Sequence, residues 1–387
     1  MAVYPSPVGA QTDFTALMDN EKFVWVKRAW QHAREHSFIM QFTGSGMNSM
    51  CERITELTKT SKGDKAILRL VPDLIGDGVT GDNTLLGNEE SLEGHDTEIV
   101  IDQLRHAVKN TGRMNDQRSV FDFRMEAKDK LGFWLARICD EVAFLTMAGI
   151  DYDKALNGAD RPSAVLPTGQ KLSDLAFASR VTGPSSKRHF RWDAGTGSLE
   201  DGDTTALDPA DTLTYNGLLA ARAHMKDRYI RGIRSKGGEE FYHVFLPPLA
   251  YLKLKQDPDY QAALRHAQPR GGNNPLFSGA TVMMDGMMLH EHHKVFNTSG
   301  AAGGDKWGAA GDVDGARISM CGAQSLAMVD LSKGGYWDEE DFDYGNSQGI
   351  SLGKIFGFEK PKFIDKKIVG QTPTEQDFGL CSFDVAI

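Results

Sequence analysis

Residues 74–90 read LIGDGVTGDNTLLGNEE and decide which fold this chain can adopt. β-prone runs at 66–71 and 97–101 flank them, so the segment is predicted to be the end of a long β-hairpin. Five glycines lie between Gly76 and Gly94 among many acidic residues, which leaves little apolar surface for the hairpin to bury within itself. Because an isolated hairpin is only marginally stable, this one needs a partner surface.

A long helix is predicted downstream of the hairpin. Residues 120–148 contain no proline, carry apolar side chains at helical spacing and stop at Gly149. At about 1.5 Å per residue this helix measures roughly 45 Å, whereas the usual length in globular proteins is about 11 to 12 residues. We interpret it as the spine of an extended, flat subunit.

The remaining pattern is typical of a mixed α+β protein. Residues 157–211 are rich in Gly, Ser, Thr, Pro and Asp and are interpreted as loops and short strands, and Asp211 is a candidate cap for the helix that follows. Helices are predicted at 21–34, 47–59, 209–226 and 259–267. Strands are predicted at 240–246, 281–290, 318–331 and 350–358.

Composition narrows the function classes. The formal net charge of −10 opposes tight non-specific binding to nucleic acid, because affinity for a polyanion comes mostly from Lys and Arg. A protein that surrounds DNA without binding it tightly is compatible with that charge. No C-x-x-C spacing is present, which argues against a structural zinc site and predicts four buried thiols, at Cys51, Cys139, Cys321 and Cys381.

From the sequence we expect neither a secretory leader nor a membrane span. Residues 1–15 lack a basic start and an apolar stretch, so they do not resemble a secretory signal. The longest strongly apolar segment, 244–252, is interrupted by Pro247 and Pro248 and is too short for a bilayer. We expect a protein that is soluble when made.

Several other segments share a family pattern with 74–90, and their order and spacing matter more than any one of them. They are Gly63-Asp64, Ile101-x-x-Leu-Arg105-x-Ala107-Val108, Arg118 with Asp122 and Arg124, the EEFYHVFLPP of 239–248, the GNNPLFSGA of 272–280, Gly322-Ala323-Gln324, and Tyr344 to Lys360 with Gly349, Gly353 and Gly357. Together they resemble the N-four-like phage major capsid family, whose members share the Hong Kong 97 phage capsid fold.

The resemblance implies an α+β capsid fold with five parts. They are an N-terminal arm (1–60), an extended hairpin loop lying over a neighbouring subunit (61–103), a peripheral domain with the spine helix (104–164), an axial domain around capsomer centres (165–325), and return strands to the peripheral domain with a C-terminal segment (326–387). The arm, the unsupported hairpin and the long helix agree with the pattern of the residues themselves.

The implied function is structural. The subunit is expected to assemble with itself into hexamers and pentamers of an icosahedral shell around the phage double-stranded DNA, and to mature by conformational rearrangement. Scaffolding, portal and decoration proteins are the other expected partners, the virion capsid is the expected location after synthesis in the host cytoplasm, and no membrane, cofactor, metal or catalytic residue is expected.

The hairpin supplies the candidate functional residues. Hinge candidates are Gly76, Gly78 and Gly81, because glycine tolerates backbone angles that other residues resist. The hairpin's lysines, Lys62 and Lys65, sit at its base, so we do not expect the covalent crosslinking known from some shells of this fold. Intersubunit contacts are predicted at Leu74, Asp77, Val79, Asp82, Leu85 and Leu86.

Four motifs carry alternative chemistry. His290-Glu291-His292-His293 is either a metal site or a surface or interface histidine cluster, and we favour the cluster because zinc needs three or four ligands.

The G-x-G-x-x-G of 76–81 is interpreted as hairpin turns, since no helix starts after it. The acidic run 338–343 is interpreted as a solvated face rather than a calcium site. The basic stretch 222–236 either faces packaged DNA or another capsomer subunit, or forms an ordinary salt-bridged surface.

Two rival classes follow from the same residues. The first is a hydrolase that uses the histidine cluster at 290–293, which metal analysis of the purified protein would reveal. The second is a monomeric binding module, such as a tail or decoration protein, which would remain a compact monomer in solution.

Overall fold

The computed structural model describes residues 37–54, 63, 65–70, 77–90, 94–118, 123–235, 237–267, 282–365 and 374–387. The predicted helix at 21–34, the contact candidate Leu74, the hinge candidate Gly76 and the 272–280 loop lie outside these residues.

The described helices are few and unequal in length. They are α1 Arg113–Arg118, α2 Phe123–Ala148, α3 Tyr215–Asp227, α4 Pro248–Gln256 and α5 Pro258–Ala267. Short 3-10 helices occur at Ile39–Phe42, Pro162–Val165, Leu172–Asp174, Ala178–Arg180, Ser186–Arg188 and Thr204–Ala206.

Strands make up most of the remaining regular structure. In chain order they are β1 Thr43–Gly44, β2 Cys51–Ile54, β3 Lys65–Leu70, β4 His95–Val100, β5 Asp102–Lys109, β6 His189–Asp193, β7 Ser198–Asp201, β8 Ile233–Arg234, β9 Glu240–Leu246, β10 Val282–Met284, β11 Met287–Glu291, β12 Gly315–Cys321, β13 Leu326–Phe342, β14 Ser347–Glu359, β15 Lys362–Asp365, β16 Thr374–Asp377 and β17 Leu380–Ala386.

The spine helix α2 runs for 26 residues and confirms the long helix predicted at 120–148. Its buried apolar residues recur at helical spacing, and toward its end every side chain is buried. It contacts β12 of one sheet and β5 and β14 of another, as well as the segment at Ile39–Phe42. The helix therefore lies at the centre of the main hydrophobic core.

The helix ends at Gly149, as predicted, and only glycine fits there. Its φ is +66°, and an added Cβ would lie 2.4 Å from the carbonyl oxygen of Thr182. We expect Gly149→Ala to destabilise the fold by about 3 kcal/mol, from a left-handed backbone plus a steric clash. Thermal melting of the purified protein measures the effect.

Gly197→Ala is the matched control for this substitution. Gly197 has a φ of +65°, but an added Cβ there would meet no atom within 4 Å. The loss of stability in Gly197→Ala therefore measures the left-handed backbone conformation alone, at about 1 to 2 kcal/mol. Equal melting temperatures for the two variants would show that the contact with Thr182 is unimportant.

A five-stranded sheet has the order β1-β2-β13-β14-β5. Its centre is the long antiparallel pair β13 and β14, whose register runs from Ala327↔Glu359 to Phe342↔Ser347 with an irregularity between Asp330 and Gly335. The predicted strand at 350–358 is confirmed within β14. β2 pairs in parallel with β13, so the helix predicted at 47–59 is wrong at Cys51–Ile54. Pairing with a buried neighbouring strand there overrides the local helical pattern.

A second sheet contains eight strands in the order β10-β11-β9-β12-β17-β6-β7, with β8 also paired to β9. The prediction at 240–246 is confirmed by β9. The single strand predicted at 281–290 is wrong: it is a hairpin, because Asp285 and Gly286 both adopt positive φ and turn β10 into β11. The last strand, β17, pairs with β12 and β6 inside this sheet.

The strand predicted at 318–331 is also wrong, because it belongs to both sheets. It divides into β12 and β13, which are separated by residues 322–325. Gln324 turns the chain there with a φ of +53°. A continuous apolar run cannot show that its two halves enter different sheets, since both halves are buried.

Helix α3 begins later than the predicted 209–226. Thr214 is its cap, because its hydroxyl accepts a hydrogen bond from the backbone N–H of Gly217 at 3.1 Å. The prediction that Asp211 is the cap is wrong: its buried carboxylate accepts from the backbone N–H groups of Ala194 and Asp208 instead. The helix predicted at 259–267 is confirmed by α5.

The four cysteines are buried and free, as predicted. Burial raises the pKa of each thiol, to about 12 for Cys321. They therefore behave as small apolar side chains of the core rather than as nucleophiles.

Candidate assembly surface

The predicted hairpin is present at its base. β3 and β4 pair antiparallel from Lys65↔Val100 to Leu70↔His95, which confirms the strands predicted at 66–71 and 97–101. A small apolar cluster holds this base against the five-stranded sheet of the same subunit; it consists of Ile54, Ala66, Leu68, Leu70, Ile99, Ala327 and Val329.

Polar contacts also tie the base to the rest of the subunit. The carboxylate of Glu98 lies 3.1 Å from the ammonium of Lys65 and 3.0 Å from the guanidinium of Arg180. The hydrogen bond from Lys65 is the main cause that lowers the pKa of Glu98. Arg180 belongs to the short 3-10 helix Ala178–Arg180, so the base of the hairpin is held by a segment that is distant along the chain.

The far part of the hairpin, residues 77–90, has the opposite character. All of its described residues are exposed except Val79, which is half-buried, and the side chains of Leu85 and Leu86 are 61% and 83% exposed. Five of the predicted contact residues lie here, namely Asp77, Val79, Asp82, Leu85 and Leu86. Two adjacent leucines are therefore left in water on this loop.

Hydrogen bonds within the loop give it a defined shape. The side-chain amide of Asn88 donates to the carbonyl of Thr84 at 3.0 Å, and its backbone N–H donates to the carbonyl of Leu85 at 3.0 Å. Asn83 makes a similar bond to the carbonyl of Thr80 at 2.8 Å. The leucines are thus presented on a hydrogen-bonded turn.

The described hinge candidates adopt the backbone expected of glycine. Gly78 has a φ of +76° and Gly81 a φ of +65°. Gly87, which sequence reasoning missed as a conformational position, has a φ of +88°. A Cβ at any of the three would meet no atom within 4 Å, so the backbone angle alone favours glycine.

Two members of the histidine cluster, His290 and His292, make contacts within the subunit. His290 on β11 lies beside His243 on β9, with Nε2 and Nδ1 2.8 Å apart, whereas His292 stacks on Phe38 with ring centroids 4.1 Å apart. Sequence reasoning missed His243, which lies far away along the chain. Within the residues that the structure describes, no group of three or more His, Cys, Asp or Glu is arranged to hold a metal ion.

Side chains in both charged runs form ion pairs with other residues of the subunit. In the acidic run, the carboxylate of Glu339 accepts from Arg124 at 3.0 Å and from the indole of Trp337 at 2.7 Å. In the basic stretch, Arg222 pairs with Asp285, and Arg234 pairs with Glu240 at 3.0 Å. The pairs of Arg222 and Arg234 favour the salt-bridged surface that was one of the two interpretations of the basic stretch.

The G-x-G-x-x-G of 76–81 leads into the exposed loop rather than into a helix, so its described residues are hairpin turns. A search of the described part of the chain finds no helix with the length and apolarity that a membrane crossing demands.

Comparisons with known proteins agree with this architecture. The family model described as phage capsid protein matches residues 16–387. The chain is 46% identical over 385 residues to the major capsid protein of Pseudomonas phage KPP25, covering 99% of this chain and 100% of the relative.

Solved structures show the same fold. The capsid of Ralstonia phage GP4 aligns with a TM-score of 0.68 and 25% identity over 89% of each chain. The capsid of cyanophage Pam1 aligns with a TM-score of 0.66 and 18% identity over 89% of this chain and 91% of that one. The predicted α+β capsid fold is confirmed, and the chain belongs to the phage capsid protein family.

Proposed function

We propose that this chain is the major capsid subunit of a tailed phage and assembles with itself into hexamers and pentamers of an icosahedral shell around double-stranded DNA. Its family membership and the near-full-length match to a major capsid protein support the structural role. The observation that carries the assembly proposal is the hairpin, whose base is bonded to its own subunit and whose exposed loop presents Leu85 and Leu86 to solvent.

The hairpin loop acts by covering a neighbouring subunit. Full burial of a leucine side chain contributes about 1.5 to 3 kcal/mol. The two leucines would therefore supply most of the binding free energy of one weak contact between subunits. Asp77 and Asp82 are exposed in the same loop and would add polar contacts. Because each subunit both gives and receives such a contact, a closed shell multiplies a modest interaction over many copies.

The described sheets support the proposed parts of the subunit, and we refine the proposal at one place. The arm (1–60) contributes β1 and β2 to the five-stranded sheet, and the return strands after residue 326 form its centre. The axial unit corresponds to the eight-stranded sheet, which includes β17. We therefore place Leu380–Ala386 with the axial unit rather than with the peripheral one.

The proposal includes further partners and a location. Scaffolding and portal proteins would guide assembly in the host cytoplasm, decoration proteins would bind the outer face, and the mature subunit resides in the virion. The net charge of −10 favours enclosing DNA without sequence-specific binding, since phosphate contacts would require an excess of basic residues.

Imaging tests the proposal. Purified protein examined by negative-stain electron microscopy and sedimentation is expected to form shells or hexamers. A monodisperse compact monomer at all concentrations would favour a monomeric binding module. Stoichiometric zinc that survives dialysis would favour the hydrolase alternative.

The hinge glycines give a prediction about maturation. Gly78→Val combined with Gly81→Val imposes positive φ on β-branched residues, at about 1 to 2 kcal/mol each. We expect particles that stop at one size instead of expanding, as measured by electron microscopy. Thr80→Val, in the same loop, is the control and should leave particles unchanged; normal mature shells from the double variant would rule out the hinge.

A further inference from the structure

The root of the arm, defined here as residues 37–42, is clamped between the spine helix and the eight-stranded sheet. On the helix side, the carboxylate of Asp140 accepts from the hydroxyl of Ser37 at 2.5 Å and from the backbone N–H groups of Phe38 and Ile39, each at 3.1 Å. Ile39 is fully buried. This side holds the start of the arm root.

The sheet side holds its end through aromatic rings. The ring of Phe42 lies 4.8 Å from that of His243, 5.1 Å from that of His290 and 5.4 Å from that of Phe245, measured between centroids. The two histidines hydrogen-bond each other across adjacent strands at 2.8 Å. Phe42 therefore covers a histidine pair.

We infer that the His243–His290 pair is an acid-sensitive latch that holds the Phe42 end of the arm root on the eight-stranded sheet at neutral pH and releases it on protonation. The hydrogen bond between the rings requires one nitrogen to donate and the other to accept. When both rings are protonated, neither nitrogen can accept, and two positive charges face each other.

The surroundings of the pair give no charge compensation. Burial lowers the pKa of His243 to about 4, with His290 as the further cause, and burial also lowers the pKa of His290. Within the described residues, no carboxylate forms an ion pair or a hydrogen bond with either ring, and each ring's hydrogen bond is to the other. The first proton keeps the hydrogen bond but places an unpaired positive charge under Phe42, and the second proton breaks the bond.

The neighbouring charges act on a different histidine. His293, Asp140 and Lys294 face His292, whose pKa burial lowers to about 4. Lys294 is bound to Asp140 at 2.9 Å. His292 stacks face to face on Phe38, at the start of the arm root, so its protonation acts at the other end of that segment. We therefore assign the latch at the Phe42 end to His243 and His290.

The sign and size follow from linkage. The pKa of His243 is near 6.5 when the Phe42 end is released and near 4 when it is latched. Release therefore takes up protons between these pH values and becomes more favourable as the pH falls. At pH 5, His243 alone shifts the equilibrium toward release by at most roughly 30-fold relative to pH 8. Below about pH 4 both states are protonated, and no further shift is expected.

A spin label tests the latch in assembled particles. Gln41→Cys places a reactive thiol on the exposed side of the arm root, whereas the four native cysteines are buried. We expect an immobile spectrum at pH 8 and a growing mobile fraction down to pH 5, with light scattering confirming intact particles. Phe42→Ala at pH 8 supplies the reference spectrum of the released end.

Histidine variants show which side chains cause the change in the spectrum with pH. His243→Gln with His290→Gln keeps polar, uncharged groups and is expected to abolish the pH response, while His293→Gln should retain it. Identical wild-type spectra at pH 8 and pH 5 would overturn the latch even if the double variant fails to assemble. So would a double variant that loosens at the wild-type pH, which would point to another group such as Glu359, whose pKa burial raises to about 7.

Discussion

Leu85→Ser combined with Leu86→Ser is expected to give a folded subunit that does not assemble. Both side chains are already exposed within the subunit, so the change removes no internal packing. In a shell it removes about 3 kcal/mol or more of apolar burial per loop. That loss raises the protein concentration needed for assembly at least roughly hundredfold, as measured by sedimentation.

The conservative pair Leu85→Met and Leu86→Met is the control for this result. Methionine keeps the apolar area and the flexibility to fill a neighbouring groove, so shells should form near the wild-type concentration. Melting temperatures of the serine and methionine variants should agree within a degree or so. Shells of the serine variant at wild-type concentration would remove the hairpin loop from the assembly interface.

The second large effect is expected at Asp384. Its fully buried carboxylate accepts from Arg317 at 2.8 and 2.9 Å and lies 2.6 Å from Nε2 of His189. Burial alone would raise its pKa, but Arg317 and His189 outweigh burial and lower it. Arg317 also donates to the carbonyl of Ala148 at 2.9 Å, so this cluster joins the eight-stranded sheet to the end of the spine helix.

Asp384→Asn leaves the guanidinium of Arg317 buried without a counter-charge. We expect a loss of about 3 to 5 kcal/mol in stability, since breaking one side of a buried pair strands the other charge. Thermal melting and the yield of soluble protein measure it. Glu240→Gln, which breaks the exposed pair with Arg234, should cost less than about 1 kcal/mol. Equal melting temperatures would show that Arg317 finds another partner.

The features that could be predicted from sequence are those with a local cause. The spine helix was predictable because apolar spacing, the absence of proline and Gly149 all lie within one stretch. β9 was predictable because it is a short buried run that ends at Pro247. The exposed hairpin loop was predictable because its glycines and acids cannot form a core.

The errors share a different origin, which is pairing between distant residues. Cys51–Ile54 is a strand because β13 lies beside it, and the run at 318–331 divides because its halves enter different sheets. His243 joins His290 through the parallel pairing of β9 with β11. Single-sequence patterns carry no signal for such long-range pairs, so the histidine cluster was found but its partner was missed.

The most direct test of the account is a cryo-electron microscopy structure of the assembled particle, read at Leu85 and Leu86. We predict that both side chains are buried against a neighbouring subunit, while Glu98 still binds Lys65 and Arg180 at the base of the same hairpin. A shell in which both leucines remain in solvent, or fold back onto their own subunit, would contradict the account.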